Sequence, residues 1–242
     1  MARVALITGG ARGLGLACAE RFASHGLGLA LVDAEAAGLE TAAATLRARG
    51  TEVLAIPADI RERGACARTV SEAVHRLGSL DVLVNAAGVY PRRPVLDIPA
   101  EDWQFVFGVN VLGTYFMMIE AIAEMRTRGG GRIVNVSSVD GFKAHPANAH
   151  YAATKAAVIS LTRSLALEVA PLGILVNSVA PGPMATETAK EADWYAPMVE
   201  ALPTRRPIEP AEVANVVAFL ADPANVSIAG ENIVVSGGGV IV

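Results

Sequence analysis

Charge, sulfur and aromatic rings are all scarce in this chain of 242 residues. Asp, Glu, Lys and Arg together make up 18%, aromatic residues 5%, and the formal net charge is -4. An acidic, sparsely charged chain lacks the basic face that nucleic acids need. Arginines cluster only briefly, at Arg92-Arg93, between Arg126 and Arg132, and at Arg205-Arg206, and these read as solvated loops. The two cysteines, Cys18 and Cys66, have no metal-ligand spacing, and Cys18 between Ala17 and Ala19 reads as a buried free thiol. Such usage fits a reducing, cytoplasmic setting. His145 and His150 have no Cys or carboxylate at a ligand interval, so no metal is expected. No signal peptide opens the chain, because Met1-Ala2-Arg3 runs straight into apolar Val4–Ile7. No uncharged apolar run of about 18 residues is evident, so no membrane span is expected.

What the chain has in quantity is apolar residues, 52%, arranged in two alternating patterns. Short continuous runs at Val4–Thr8, Gly28–Asp33, Glu52–Ile56, Val82–Asn85, Arg132–Val136, Ile174–Val179 and Asn232–Val235 read as strands buried on both faces. Between them, Leu14–His25, Glu35–Arg49, Glu62–Leu77, Ala100–Arg128, Ala149–Ala170 and Pro210–Ala221 read as helices. Gly26, Gly50 and Gly78 stop the first three. Strand–helix alternation predicts one α/β domain spanning 1–242, a doubly wound parallel sheet of about seven strands with helices on both faces. The stretch from Pro181 to Pro207 breaks the pattern with four prolines after Gly182 and a Trp194-Tyr195 pair, so a covering segment is expected near 183–207.

The first strand runs directly into Thr8-Gly9-Gly10-Ala11-Arg12-Gly13-Leu14-Gly15. Gly9 suits a tight strand-to-helix turn, while Gly13 and Gly15 let backbone approach a diphosphate and let the helix pack on the sheet. The diphosphate would meet unpaired N–H groups at a positive helix end. A Gly-rich turn is weak evidence alone and strong in this position. Asp33, at the end of the second strand, could accept bonds from a ribose 2′-OH and repel a 2′-phosphate, which favours NAD over NADP. It could instead cap the following helix. Arg12 argues the other way, since it could reach a 2′-phosphate. Asp59-Ile60 and Asn85-Ala86-Ala87-Gly88 follow the third and fourth strands, at carboxyl ends where α/β sheets bind ligands.

Tyr151 and Lys155 stand four residues apart on one helix face, 13 residues after Ser138. A phenol of pKa about 10 is a poor acid–base group at neutral pH, and a nearby ammonium lowers that value. Ser137 would point to the opposite face of its strand, leaving Ser138 at the carboxyl edge. Asn110 reads by itself as an exposed helical asparagine.

As a set, TGGARGLG, Asp59, NAAG, Asn110, Ser138, YAATK and Pro181-Gly182 followed by Thr186 resemble the short-chain dehydrogenase/reductase family over nearly the whole chain. The resemblance implies that Ser138 holds the substrate oxygen and Tyr151 transfers its proton. It implies that Lys155 lowers the tyrosine pKa and binds the nicotinamide ribose, and that Asn110 helps hold a water in a proton relay. Pro181, Gly182 and Thr186 would then flank the nicotinamide, as part of a cofactor site running from Gly9 through Leu14 to Gly88. The expected activity is hydride transfer between NAD(H) and a small secondary alcohol or ketone. Alternatives are an NADPH-dependent 3-oxoacyl thioester reductase and a non-catalytic nucleotide-binding regulator. The family pattern also implies a homotetramer with contacts from Trp103, Phe105, Tyr115 and Phe116. Two departures stand out. Ser236-Gly237-Gly238-Gly239 replaces the usual Asp-Gly-Gly, and no basic residue stands at Pro171-Leu172-Gly173, where acyl-carrier reductases usually have one. The substrate pocket is expected near Tyr90–Pro94, Val139–His145 and Met184–Tyr195.

Overall fold

A computed structural model describes residues 3–242. Strands β1 (Val4–Thr8), β2 (Gly28–Asp33), β3 (Val53–Pro57), β4 (Val82–Asn85), β5 (Gly131–Val136), β6 (Ile174–Pro181) and β7 (Asn232–Val235) form one sheet in the order β3-β2-β1-β4-β5-β6-β7. Every pairing in it is parallel. The chain winds outward from β1 to β3, then crosses back to β4 and winds the other way. A ligand crevice opens where the winding reverses, beyond the carboxyl ends of β1 and β4. Thr8 is level with Val32 and Asn85, and Asn85 with Asn135, so these strand ends form one edge.

Among the described residues the α-helices are α1 (Gly13–Ser24), α2 (Ala36–Ala48), α3 (Arg63–Leu77), α4 (Ala100–Phe107), α5 (Thr114–Met125), α6 (Ala149–Val169), α7 (Glu187–Lys190), α8 (Tyr195–Glu200) and α9 (Pro210–Leu220). Side chains alternate across a strand, so β1 serves two cores. Ala5 and Ile7 meet Leu14, Cys18 and Phe22 of α1 and Val213 and Val217 of α9, with Leu39 and Leu46 of α2 alongside. Leu6 meets the other core, built from Cys66 and Val70 of α3, Met117, Met118, Ala121 and Met125 of α5, and Ala166 and Val169 of α6. Each large side chain buried there contributes roughly 1.5–3 kcal/mol.

The expected single helix over Ala100–Arg128 is interrupted. A π-helical turn, Gly108–Gly113, separates α4 from α5, and a 3-10 turn, Arg126–Arg128, ends the run. Close packing accompanies the wide turn, since a Cβ on Gly113 would lie 2.6 Å from Ile60 Cγ1. The extra residue turns Asn110 inward, where it is fully buried. The premise that no apolar run of about 18 residues exists needs correcting, because Ala100–Arg128 is long and apolar enough to cross a membrane by length and composition alone. Here its methionine-rich face packs on the sheet as a core helix does.

The irregular stretch after β6 carries α7 and α8 and returns through a parallel bridge between Met184 and Ile208. The C-terminal glycines secure its far end. Gly237 and Gly238 have φ of +60° and +83°, and Cβ atoms there would press on Thr204 and Pro203.

Candidate active site

A cavity of about 660 Å³ opens at the carboxyl edge of β1, β4 and β5 under the α7–α8 segment. That size suits a cofactor with a small substrate. Of the residues expected at the cofactor site, all but Gly15 and Asn85 line it.

The Gly-rich turn explains why Gly15 does not. A Cβ on Gly15 would lie 2.0 Å from the carbonyl oxygen of Gly9, so this glycine seats α1 against the turn and faces no ligand. Gly9 has φ +69° and abuts the Ala87 backbone, where a Cβ would come within 2.9 Å. Gly13 begins α1; Arg12 before it supplies no side-chain cap, and the first turn holds no acidic residue. Unpaired N–H groups at a helix N-terminus facing a cavity fit a diphosphate.

Asp33 links this turn to β2. Its Oδ2 accepts from the Ala11 N–H at 3.2 Å and its Oδ1 from the Glu35 N–H at 3.1 Å. The cap of α2 is Glu35, whose carboxylate accepts from the Ala37 and Gly38 N–H groups, so the capping reading of Asp33 is replaced. Asp59 and Ile60 line the next stretch, and Arg61 chelates Asp59 at 2.5–3.0 Å while stacking over Phe105. The hydrogen bond from Arg61 holds the Asp59 carboxyl below its usual range. Arg61 was not singled out in the sequence; its place two residues beyond Asp59 was the available signal.

Asn85 turns away from the cavity. Its Nδ2 donates to Asn135 Oδ1 at 2.9 Å, tying β4 to β5, so it holds the sheet edge. Ala86, Ala87 and Gly88 line the cavity instead, with the Ala87 N–H donating to Thr8 Oγ1 at 3.1 Å.

At the other end, Ser138 follows β5 and Tyr151 and Lys155 project from α6. The Ser138 hydroxyl is close enough to the Tyr151 phenol to act on it, and its oxygen accepts from the Asp140 N–H at 3.1 Å. Ser137 packs the other way, 2.8 Å from the Val179 carbonyl. Lys155 Nζ donates to the Val136 carbonyl at 2.8 Å and lies 5.6 Å from the Tyr151 ring centre. Burial pushes Lys155 down to about 8. Burial pushes the Tyr151 phenol up, and the Ser138 hydroxyl only partly opposes it.

Asn110 is buried, contrary to the exposed reading. Its Oδ1 accepts from the Val89 N–H and its Nδ2 donates to the Val89 carbonyl, both at 2.9 Å, and Nδ2 also reaches Thr154 Oγ1 at 3.0 Å. It lies one layer behind the cavity. A Cβ on Gly88 would touch both Asn110 Oδ1 and Lys155 Nζ, so the two side chains converge there.

The substrate end is lined by Tyr90, Arg92, Val139, Asp140, Met184, Trp194 and Met198. Tyr90 meets the Tyr151 ring edge-on at 6.0 Å. His145 is turned to Asp140, its Nδ1 at 2.5 Å from Oδ1, and Asn148 holds the other carboxylate oxygen. His150 belongs to the first turn of α6, packed at 5.9 Å on Trp103, and burial pushes its pKa down. Tyr195 is not in the cavity wall.

The family model described as Enoyl-(Acyl carrier protein) reductase matches residues 9–239. The chain is 38% identical to Oxidoreductase UcpA of Escherichia coli, over 98% of this chain and 94% of that one. It is 35% identical to a 3-oxoacyl-[acyl-carrier-protein] reductase of Synechocystis sp., over 98% and 96%. Among solved structures, a mutant short-chain dehydrogenase/reductase of Serratia marcescens matches with a TM-score of 0.93 and 33% identity, over 98% of this chain and 97% of that one.

Proposed function

The chain belongs to the short-chain dehydrogenase/reductase family of oxidoreductases, and from that premise we propose that it transfers a hydride between NAD(H) and a secondary alcohol or ketone. The observation that carries the reading is that Ser138, Tyr151 and Lys155 share one end of a cavity whose other end is the Gly-rich turn. Bound nicotinamide supplies the hydride acceptor or donor. The protein's residues do the rest. The N-terminus of α1 binds the diphosphate, and Asp33 accepts from the adenine-side ribose. Ser138 orients the substrate oxygen, and Tyr151 takes its proton on oxidation or returns it on reduction. Lys155, where charged, favours the tyrosinate, and Asn110 fixes the Val89 loop beside it. The α7–α8 segment excludes water.

A second reading has one specific support. Arg12 is exposed on the cavity rim, and the Synechocystis relative is named for 3-oxoacyl reduction. On that reading the protein uses NADPH on acyl thioesters. The main reading is tested with Tyr151→Phe. Turnover of secondary alcohols should fall at least about 100-fold, the low end of general acid–base contributions, while NAD affinity by titration stays within a few fold. Retained turnover sinks the mechanism.

A further inference from the structure

One cation at the substrate end has no counter-charge. Arg92 is half-buried in the cavity wall, and its guanidinium lies over the Trp194 ring, 4.6 Å from the ring centre. Among the described residues it makes no salt bridge and no side-chain hydrogen bond. Its neighbours are otherwise committed. Arg93 pairs with Asp102, Lys190 with Glu187, and Arg61 with Asp59. The carboxylates that share the cavity wall are committed too. Asp140 accepts from Asn148 and is paired to His145 at 2.5 Å, and Glu187 is held by Lys190 at 2.9 Å. A guanidinium seated over an aromatic face with no hydrogen-bond partner keeps its N–H groups for a planar or tetrahedral oxyanion. Arg92 is also close enough to Tyr151 for its charge to act on the phenol. The cavity therefore presents a proton-transfer group and an unmatched cation to one ligand.

We propose that the substrate carries an oxyanion, carboxylate or phosphate, on the arm remote from the reacting carbon, and that Arg92, seated over the Trp194 ring, binds it. This rests on the oxidoreductase reading above and narrows its substrate to hydroxy or keto acids or the corresponding phosphate esters. Arg92 acts by binding and takes no part in proton or hydride transfer. The solvated-loop reading of Arg92-Arg93 is thereby replaced for Arg92.

The test uses matched pairs: linear 2-, 3- and 4-hydroxy acids against their methyl esters, and hydroxyalkyl phosphates against the parent diols. For each, kcat/KM is measured with saturating cofactor, and Kd is measured by calorimetry on NAD-loaded Tyr151→Phe protein. The wild type should prefer one anionic member over its neutral partner by about tenfold or more, the scale of a charge-assisted hydrogen bond. Arg92→Gln should abolish the preference and Arg92→Lys should keep part of it. The acid and phosphate arms identify which oxyanion fits. A preference for the neutral partner, or an anion preference that persists in Arg92→Gln, overturns the proposal and leaves the oxidoreductase reading standing. Equal losses on anionic and neutral substrates would mark Arg92 as a latch for the α7–α8 segment, which also overturns it. If no substrate turns over, the activity reading fails and the Kd ratio still decides the anion site.

Discussion

Lys155 is a buried amine in the cavity wall with one hydrogen bond, to the Val136 carbonyl. Burial takes its pKa from 10.5 to about 8, so between those values the unfolded chain holds a proton the folded chain has released. The Lys155 contribution to stability should therefore rise with pH from about 8 to 10, by up to about 3 kcal/mol, while the buried Cys18 and Cys66 thiols, pushed up from 9.0 to about 12 and about 11, oppose it above pH 9. Urea melts at pH 7 and pH 10 should show the wild type gaining that much relative to Lys155→Met, since the thiols act equally on both; the same pH dependence in both would remove the buried-amine account. Tyr151 cannot cancel the effect there, because its pKa is pushed upward and an unfolded tyrosine titrates only near pH 10. Asp33 offers a second test at this scale. Its oxygens hold Ala11 and Glu35 backbone and face the cavity. Asp33→Asn keeps an acceptor and removes the charge, so the NAD-to-NADP affinity ratio should fall about tenfold or more. NADP preference in the wild type would mean that Arg12 decides instead. The places of Lys155 and Asp33 at the cavity were readable because charge and spacing mark them. Asn85 and Arg92 were not, since which side of a strand end or loop a side chain takes is decided by packing partners far away in sequence, Asn135 for one and Trp194 for the other.

The seven strands announced themselves as apolar runs because both faces of a parallel sheet are buried, and most helix stops fell at glycines now seen with positive φ. The π turn of Gly108–Gly113 did not. One inserted residue leaves the apolar spacing of Ala100–Arg128 nearly intact, so a helical pattern cannot reveal it. Its consequence is nonetheless large, because it aims Asn110 at both polar backbone atoms of Val89. Asn110→Leu would strand a backbone donor and acceptor in a buried layer. We expect a loss of at least about 2 kcal/mol in a thermal or urea melt, since each unsatisfied buried group costs roughly 1–3 kcal/mol. Turnover should fall with it, because Val89 and Gly88 line the cavity beside Lys155. A fully stable variant would mean that the wide turn is held by the Gly113–Ile60 contact alone.

Among the described residues several large apolar side chains are exposed, Val95 at 65% and Leu96 at 94% among them, and two helix-borne groups bear on assembly. One runs along α4, the π turn and α5, where Trp103, Phe105, Leu112 and Tyr115 are 36–49% exposed, with Leu167 of α6 at 83%. Phe116, expected beside them, instead packs partly into the core. The other region lies around α9 and the chain end, with Phe219 at 56%, Val226 at 74% and Ile241 at 90%. Patterning marks such residues as apolar and says nothing of whether core or partner covers them, so this part of the reading needed coordinates. A closed tetramer with two-fold axes needs two surfaces that each meet their own copy, and these two groups would supply them, whereas a dimer would leave one of them wet. Light scattering should give about 100 kDa, four times the 25.0 kDa of one chain. Tyr115→Glu and Phe219→Glu should each yield dimers, because each places a charge in one patch and spares the other. A monomeric wild type would refute the assembly. A tetramer that survives both substitutions would mean that the exposed rings lie outside the true interfaces.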